Sequence, residues 1–456
     1  MKNNLLTKTI EAPAEMLERS IDTSNAISKK FNDGKAVKIT KGYWHTLGPG
    51  LTTGASDDDP SGIATYSQAG AQYGFQLLWM AAISFPLMAV VQEMCARIGL
   101  VTGRGLASNI RRVFSPRVLY ICTTLLFAAN AFNIGADLGA MSAAVQLLFP
   151  KISYSFLVIG FAILLLGLQI FTPYERYAKY LKWLALVLFA YILSAILAHL
   201  NWSEVLKHAF IPTFTNTKTQ LLLICGILGT TISPYLFFWQ TSQEVEDQIV
   251  QGKTTIASRQ GTDKQAVKNM RIDVWSGMLL SNLVMFFIIA ACAGVLYPQG
   301  ITNIATASQA AEALRPFAGN ATFFLFSIGI IGTGLLAIPV LAGSSSYAIS
   351  ESLMKPGSLG KKLSQARAFY GVIIISMLVG LSLNFVGINP IKALIYSAIG
   401  NGLVAPVVLV LIVLISSNKK VMGEWTNRPL TKFIGWATSG LMVVAGAGAI
   451  YAIFTA

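Results

Sequence analysis

The sequence predicts an all-α polytopic membrane protein in which two inverted repeats of five spans, each opening on a broken span, are followed by an eleventh span. Three observations carry this expectation. Over 456 residues, 54% are hydrophobic and only 12% are charged. The mean hydropathy of +0.60 is too apolar for an ordinary soluble domain. About eleven apolar stretches are bounded by charge or turn signals, each near the 20 residues a helix needs to cross a bilayer. The first and sixth stretches each carry a proline near the middle, Pro60 and Pro234.

Residues 1 to about 42 are polar and lack an apolar signal-peptide core, so they read as a cytoplasmic tail. The expected spans are 46–72, 75–99, 117–147, 152–171 and 177–199 in a first repeat (43–200). Spans 221–246, 271–297, 320–350, 367–387 and 391–416 fall in a second repeat (201–418), and 432–454 lies in the additional segment 419–456. With the amino terminus inside, the cytoplasmic loops hold Arg104, Arg111, Arg112 and Arg117; Arg176, Lys179 and Lys182; Lys253, Arg259, Lys264 and Lys268; Lys355, Lys361 and Lys362; and Lys419, Lys420 and Arg428. The opposite loops are poor in Lys and Arg, as the positive-inside rule requires. Span count and charge bias agree, and odd parity puts the carboxyl terminus outside.

The net charge of +14 therefore marks orientation in a lipid bilayer and does not point to nucleic acid. Cys95, Cys122, Cys225 and Cys292 lie in apolar runs without close pairing, which suits small core residues rather than a disulfide framework or zinc site. Sequon triplets at Asn201 and Asn320 carry no functional weight. Glycine spacings lie within spans rather than after strands, and no nucleophile and base are suitably spaced. Nucleotide binding and an enzyme are both disfavoured.

The stretch "GASDDDPSGIA" places Asp57, Asp58 and Asp59 inside the first span. One acid at a helix centre costs about 2.5–3.5 kcal/mol, so three simply added would cost roughly 8–10 kcal/mol. "GILGTTISPYLFFWQTSQ" repeats the broken pattern in the sixth span. Asp59 and Ser233 read as N-cap residues, with Pro60 and Pro234 opening the second half-helix of each span. Paired breaks in corresponding halves point to a binding site at the bilayer midplane. Unwound carbonyls and the negative end of a half-helix suit a cation, and Asp59 adds formal charge. Neither break offers Cys, Met or His, so its oxygen donors favour a hard ion such as magnesium, calcium or manganese. Magnesium keeps much of its water, for which Gly62 and Ser233 leave room. Successive acids cannot all face one ion, so either Asp57 or Asp58 is expected to face water or an internal hydrogen bond.

Other intramembrane polar residues have structural alternatives. Asp137 reads either as functional or as a bundle hydrogen bond. Asn401 reads either as a donor to metal-bound water or as helix-to-helix glue. Glu93 is expected to pair with Arg97 one turn later. Ser344, Ser345 and Ser346 read as close-packing residues.

The motifs "GPGL", "DPSG" and "ARIGLVTGRGL" between Gly48 and Gly105, with "TTISPY" in the sixth span, resemble the NRAMP divalent-metal transporters over residues 44 to 416. The resemblance implies a LeuT-like fold with the tenth span facing the site. Asp59 and Pro60 match the family's first-span motif, whereas Ser61 and Gly62 replace its Gly and metal-binding Asn. Ser233 and Tyr235 replace the sixth-span Met and His. These departures, with "SDDDPSG" and "FFWQTSQEVED", look like the NRAMP-related magnesium branch.

The implied metal set is Asp59, the carbonyls of Ser56 and Thr230, Ser233 and Asp58, with Gly62, Asp57, Asn401, Tyr235 and Asp137 around it. The family's proton path uses the sixth-span His and an Asp-Leu-x-Glu run, whereas this chain has Tyr235, and Asp137 followed by Ala140. Of the histidines, His45 and His208 lie outside the expected spans and His199 is the last residue of the fifth, so none sits within the body of a span. The expectation is gradient-driven import of magnesium, with manganese as a second substrate, across the plasma membrane without proton coupling. The metal is substrate, no cofactor is expected, and neither nucleic acid nor an obligatory protein partner is implied. The alternatives are a proton-coupled manganese or iron transporter, a sodium-coupled amino-acid symporter on the same fold, and a metal-sensing receptor or channel.

Overall fold

The computed structural model describes residues 47–172, 189–197, 200–215, 217–314, 319 and 322–455. The amino-terminal tail, His45, His199, Asn320, the loop bases Arg176, Lys179 and Lys182, and most of the fifth span lie outside the described residues. Among the described residues there are helices and no strands.

The first span is two helices, Pro49–Asp57 (α1) and Pro60–Tyr73 (α2). The chain continues through Trp79–Thr102 (α3), Leu106–Val113 (α4), Pro116–Leu148 (α5) and Tyr154–Phe171 (α6). Phe189–Leu197 (α7) is the described part of the fifth span, and Trp202–Phe210 (α8) is a short connecting helix. The sixth span is again halved, into Lys218–Thr231 (α9) and Pro234–Val250 (α10). After Ile256–Arg259 (α11) come Lys264–Val295 (α12), Ala307–Ala311 (α13), Thr322–Ser352 (α14), Arg367–Leu383 (α15) and Pro390–Ser416 (α16). Lys419–Met422 (α17) and Pro429–Phe454 (α18) complete the chain. Eight helices, with α9 and α10 taken as one, are long and apolar enough to cross a membrane among the described residues. The ninth span stops at Leu383 rather than at 387, because residues 384–387 form a turn with Gly387 at φ 84°.

Proline alone does not make the breaks. Pro86, Pro339 and Pro406 lie inside continuous helices. At Pro60 the preceding residue adopts extended backbone (Asp59, φ −67°, ψ 170°), and its carboxylate accepts from the Gly62 amide. That capping arrangement restarts a helix with Pro at its first position.

Small residues bring the broken spans close to their neighbours. A Cβ on Gly54 would lie 2.2 Å from the Gly277 carbonyl oxygen, and one on Gly50 would lie 2.5 Å from the Val274 amide, so α1 packs backbone-to-backbone on α12. Gly229 of α9 meets Ala398 and Gly402 of α16 in the same manner, as expected where van der Waals packing holds membrane helices together. The third and eighth spans, α5 and α14, are tied by Asn130, whose Nδ2 donates to Ser344 Oγ and Ser345 Oγ at 2.8 and 2.9 Å. Ser346 Oγ donates to the Phe369 carbonyl at 2.5 Å, so these serines are packing residues as expected.

Glu93 forms an ion pair with Arg97 at 3.2 Å and accepts a hydrogen bond from Arg271 at 3.1 Å. Arg97 also reaches the Trp425 carbonyl and Asn427, so this cluster clamps the second and seventh spans to the segment that leads into the eleventh. The four cysteines are free and buried. Phe156, Ile163, Leu164 and Phe171 of α6 are exposed, the surface expected where lipid is the solvent.

Candidate functional site

The two breaks meet in the interior. Asp57 and Asp58 are 0% exposed and Asp59 is 1% exposed, so all three acids are out of solvent. They do not point the same way. Asp59 Oδ1 accepts from the Gly62 amide and the Ser61 hydroxyl, each at 2.7 Å, and Oδ2 accepts from Asn133 Nδ2 of α5 at 2.8 Å. Asp57 Oδ2 instead accepts from Ser281 of α12 at 2.6 Å, which is the internal hydrogen bond expected for one of the neighbouring acids. Asp58 lies beside the same serine, and neither of its carboxylate oxygens has a hydrogen-bond partner. Asp137 of α5 is fully buried with both oxygens unpartnered. Among the described residues no lysine or arginine pairs with any of these four acids. An unneutralised group of buried carboxylates is costly, so the arrangement suits a cation.

Gly62 marks where the oxygens converge. A Cβ built there would lie 2.9 Å from Thr230 Oγ1, 3.4 Å from the Asp57 carbonyl oxygen and 3.4 Å from Asp59 Oδ1. The absence of a side chain thus leaves a pocket bounded by a hydroxyl from one broken span and a carbonyl and a carboxylate from the other. Thr230 Oγ1 has no hydrogen-bond partner. Tyr66 of α2 is also drawn in, fully buried close to Thr230 and the three acids. Among the described residues no three His, Cys, Asp or Glu side chains form a ready-made metal cluster. Backbone and hydroxyl oxygens would make up most of a ligand set here.

Three expected contributors are engaged differently from the sequence reading. Ser233 stands at the N-cap position of α10, but its side chain caps nothing there. Its hydroxyl turns back to the carbonyls of Gly229 and Thr230, at 2.6 and 2.7 Å. A short hydroxyl side chain competes readily for nearby unpaired carbonyls, so the Thr230 carbonyl has a protein donor and the hydroxyl of Thr230 is what faces Gly62. The Ser56 carbonyl accepts from Tyr235 Oη at 2.8 Å, a bond that joins the two breaks. Asn401 is fully buried in α16 with neither side-chain polar atom partnered. His208 lies on α8, outside the spans.

Asn133, Ser281, Ser397 and Tyr66 escaped the sequence reading. Asn133 precedes Asp137 by four residues, a helical spacing that places the pair on one face. That spacing was the available signal for Asn133.

A cavity of about 680 Å³ opens at the end of the bundle carrying the 149–153 and 384–389 loops, lined by Gln146, Tyr154, Thr306, Asn384 and Asn389 among others. A small apolar pocket beside Pro60, lined by Ile63, Ile304, Ala307, Ile391 and Leu394 among others, shares Ala307 and Ile391 with that cavity. Gln68 latches the segment above: its Nε2 donates to the Thr302 carbonyl at 3.0 Å and its Oε1 accepts from the Ile304 amide at 2.9 Å. None of the four acids lines that cavity.

The family pattern described as natural resistance-associated macrophage protein-like matches residues 50–452. The chain belongs to the NRAMP family. A divalent metal cation transporter MntH of Bacillus subtilis is 27% identical over 439 residues, covering 94% of this chain and 97% of the relative. That of Clostridium acetobutylicum is 25% identical over 454 residues, covering 95% and 97%. The manganese transporter of Eremococcus coleocola superposes with a TM-score of 0.68 at 20% identity, covering 91% of this chain and 87% of that one. Mhp1, a nucleobase-cation-symport-1 family transporter, superposes with a TM-score of 0.58 at 14% identity, covering 89% and 91%. The fold is the LeuT-like arrangement of two inverted five-span repeats. As an NRAMP protein, the chain is an integral membrane metal transporter whose metal is substrate, and it is not an enzyme.

Proposed function

We propose that this NRAMP protein imports magnesium, with manganese as a second substrate, down the electrochemical gradient and without proton coupling. The observation that carries the reading is the oxygen-only convergence at Gly62, bounded by Thr230 Oγ1, the Asp57 carbonyl and Asp59. Hard oxygen donors without thioether, thiolate or imidazole suit magnesium and do little to reject it. The proposed ion sits against Asp59, Thr230 and the carbonyls around the first break. Ser56, Ser233, Asp57 and Asp58 shape its surroundings, and Asn401, Tyr235 and Asp137 face the hydrated shell. Tyr235 occupies the position at which the family resemblance expects a histidine, and its hydroxyl is committed to Ser56. Ala140 stands where the same resemblance expects the acid of the third span.

The proposed orientation places the protein in the plasma membrane with its amino terminus inside, its carboxyl terminus outside and the 680 Å³ cavity on the outer face. An inside-negative potential then favours entry of a divalent ion by about 4.6 kcal/mol per 100 mV, which suffices without protons. No protein partner is required by this reading.

The test is uptake into proteoliposomes with a magnesium-sensitive dye inside and a pH dye in a parallel sample. Saturable magnesium uptake at constant internal pH is expected, and Asp59→Ala is expected to abolish it while the purified variant stays folded. Acidification accompanying the metal, or manganese uptake without magnesium, would replace this reading with proton-coupled transport, for which Asp137 is the retained acid. Normal flux in Asp59→Ala would remove the site.

A further inference from the structure

We infer that Asn133 is a positioning residue that, held by Ser397, presents the Asp59 carboxylate to the transported cation through a single free lone pair; this rests on the proposed site at Asp59. Asn133 Nδ2 donates to Asp59 Oδ2 at 2.8 Å, and Ser397 Oγ lies 2.8 Å from Asn133 Oδ1. All three residues are buried. The chain of contacts runs from the tenth span, α16, through the third, α5, to the break in the first.

An ionised carboxylate only accepts, so the amide must turn its nitrogen to Asp59 and its oxygen to Ser397. Ser397 Oγ is also 2.7 Å from the Leu394 carbonyl, and its single proton goes to one acceptor at a time. While its proton points to Asn133 Oδ1, the hydroxyl holds the amide in the one orientation that serves Asp59. A carboxylate has about four lone-pair sites. The Gly62 amide, Ser61 hydroxyl and Asn133 amide occupy three of them. The remaining one, on Oδ2, directs Asp59 to act as a one-oxygen ligand in a fixed direction. This is how outer groups orient a metal-binding carboxylate. It also links the geometry of the site to the third and tenth spans, so a shift of either moves the ligand.

The experiment measures magnesium uptake against concentration in proteoliposomes and separates KM from the maximal rate. Asn133→Leu, which keeps bulk and removes the donor, is expected to raise KM about 10- to 100-fold, the usual cost of losing an orienting partner. Ser397→Ala is expected to raise KM in the same direction by a smaller factor, and Ser397→Thr, which restores a hydroxyl, to return it. In the Asn133→Leu background, Ser397→Ala is expected to change nothing further, because its hydroxyl acts only through the amide.

Asn130→Ala is the control, since Asn130 ties α5 to α14 and touches none of the acids. It is expected to lower thermal stability and leave KM in place. An equal rise in KM there would overturn the assignment by showing that loosening the third span suffices. Unchanged KM in Asn133→Leu, with uptake still abolished by Asp59→Ala, would overturn the positioning role and leave the site standing. Normal uptake in Asp59→Ala would overturn the site itself. Should Asn133→Leu fail to fold, the Ser397→Ala and Ser397→Thr pair decides, and an unchanged KM in Ser397→Ala refutes the relay.

Discussion

Adding one methyl group at Gly62 separates stability from transport. In Gly62→Ala the new Cβ would meet Thr230 Oγ1 at 2.9 Å, about 0.5 Å inside ordinary van der Waals contact, while its distances to the Asp57 carbonyl and Asp59 Oδ1, both 3.4 Å, are tolerable. The tight contact is with the end of a side chain, so rotation about the threonine χ1 relieves it for about 0.5–1.5 kcal/mol. Alanine in the first turn of α2 returns up to about 1 kcal/mol through helix propensity. The two terms nearly cancel, and thermal unfolding in detergent is expected to move by no more than a few degrees. Transport is not spared. The methyl group stands between two candidate ligand oxygens, Thr230 Oγ1 and the Asp57 carbonyl, beside the Asp59 carboxylate, and turns the Thr230 hydroxyl away. Losing that oxygen is expected to raise the KM for magnesium at least about tenfold, equivalent to roughly 1.4 kcal/mol. The assay is initial-rate uptake over a magnesium series beside a melting curve of the same preparation. A stable variant with the original KM would show that the ion does not sit against Gly62, and the convergence of oxygens there would lose its meaning. Outright unfolding would refute the flexible-neighbour argument.

Two more substitutions probe other parts of the reasoning. Ser233→Met supplies a soft sulfur and releases the Gly229 and Thr230 carbonyls from the serine hydroxyl; competition uptake should shift toward manganese or cadmium, and an unchanged selectivity profile would mean that the sixth-span break does not contact the ion. Gly54→Ala drives a Cβ to 2.2 Å from the backbone oxygen of Gly277, where no side chain can yield, so α1 and α12 must part; a loss of about 3 kcal/mol is expected in unfolding experiments, and a loss under about 0.5 kcal/mol would show that the pair repacks freely.

Much was determined by the sequence alone. Apolar length placed the described spans, because a bilayer forces each crossing segment to satisfy its own backbone. The breaks followed from local chemistry: Asp59 before Pro60 and Ser233 before Pro234 sit at helix starts, whereas Pro86, Pro339 and Pro406 are carried inside continuous helices. Local chemistry also placed Asp59 as a cap and Glu93 beside Arg97.

What the tertiary structure decided was direction and company. Three adjacent acids look alike in sequence, but the backbone restart at Pro60 sends Asp59 to Asn133 of the third span and Asp57 to Ser281 of the seventh. Ser233 was expected to offer its hydroxyl to an ion and turns back on its own chain, while Thr230 presents a hydroxyl and Tyr235 holds the Ser56 carbonyl. Asn133 and Ser397 lie 264 residues apart in the chain. No local pattern can register such a pair, because only the packing of the third and tenth spans against the first brings an amide, a hydroxyl and a carboxylate within hydrogen-bond distance.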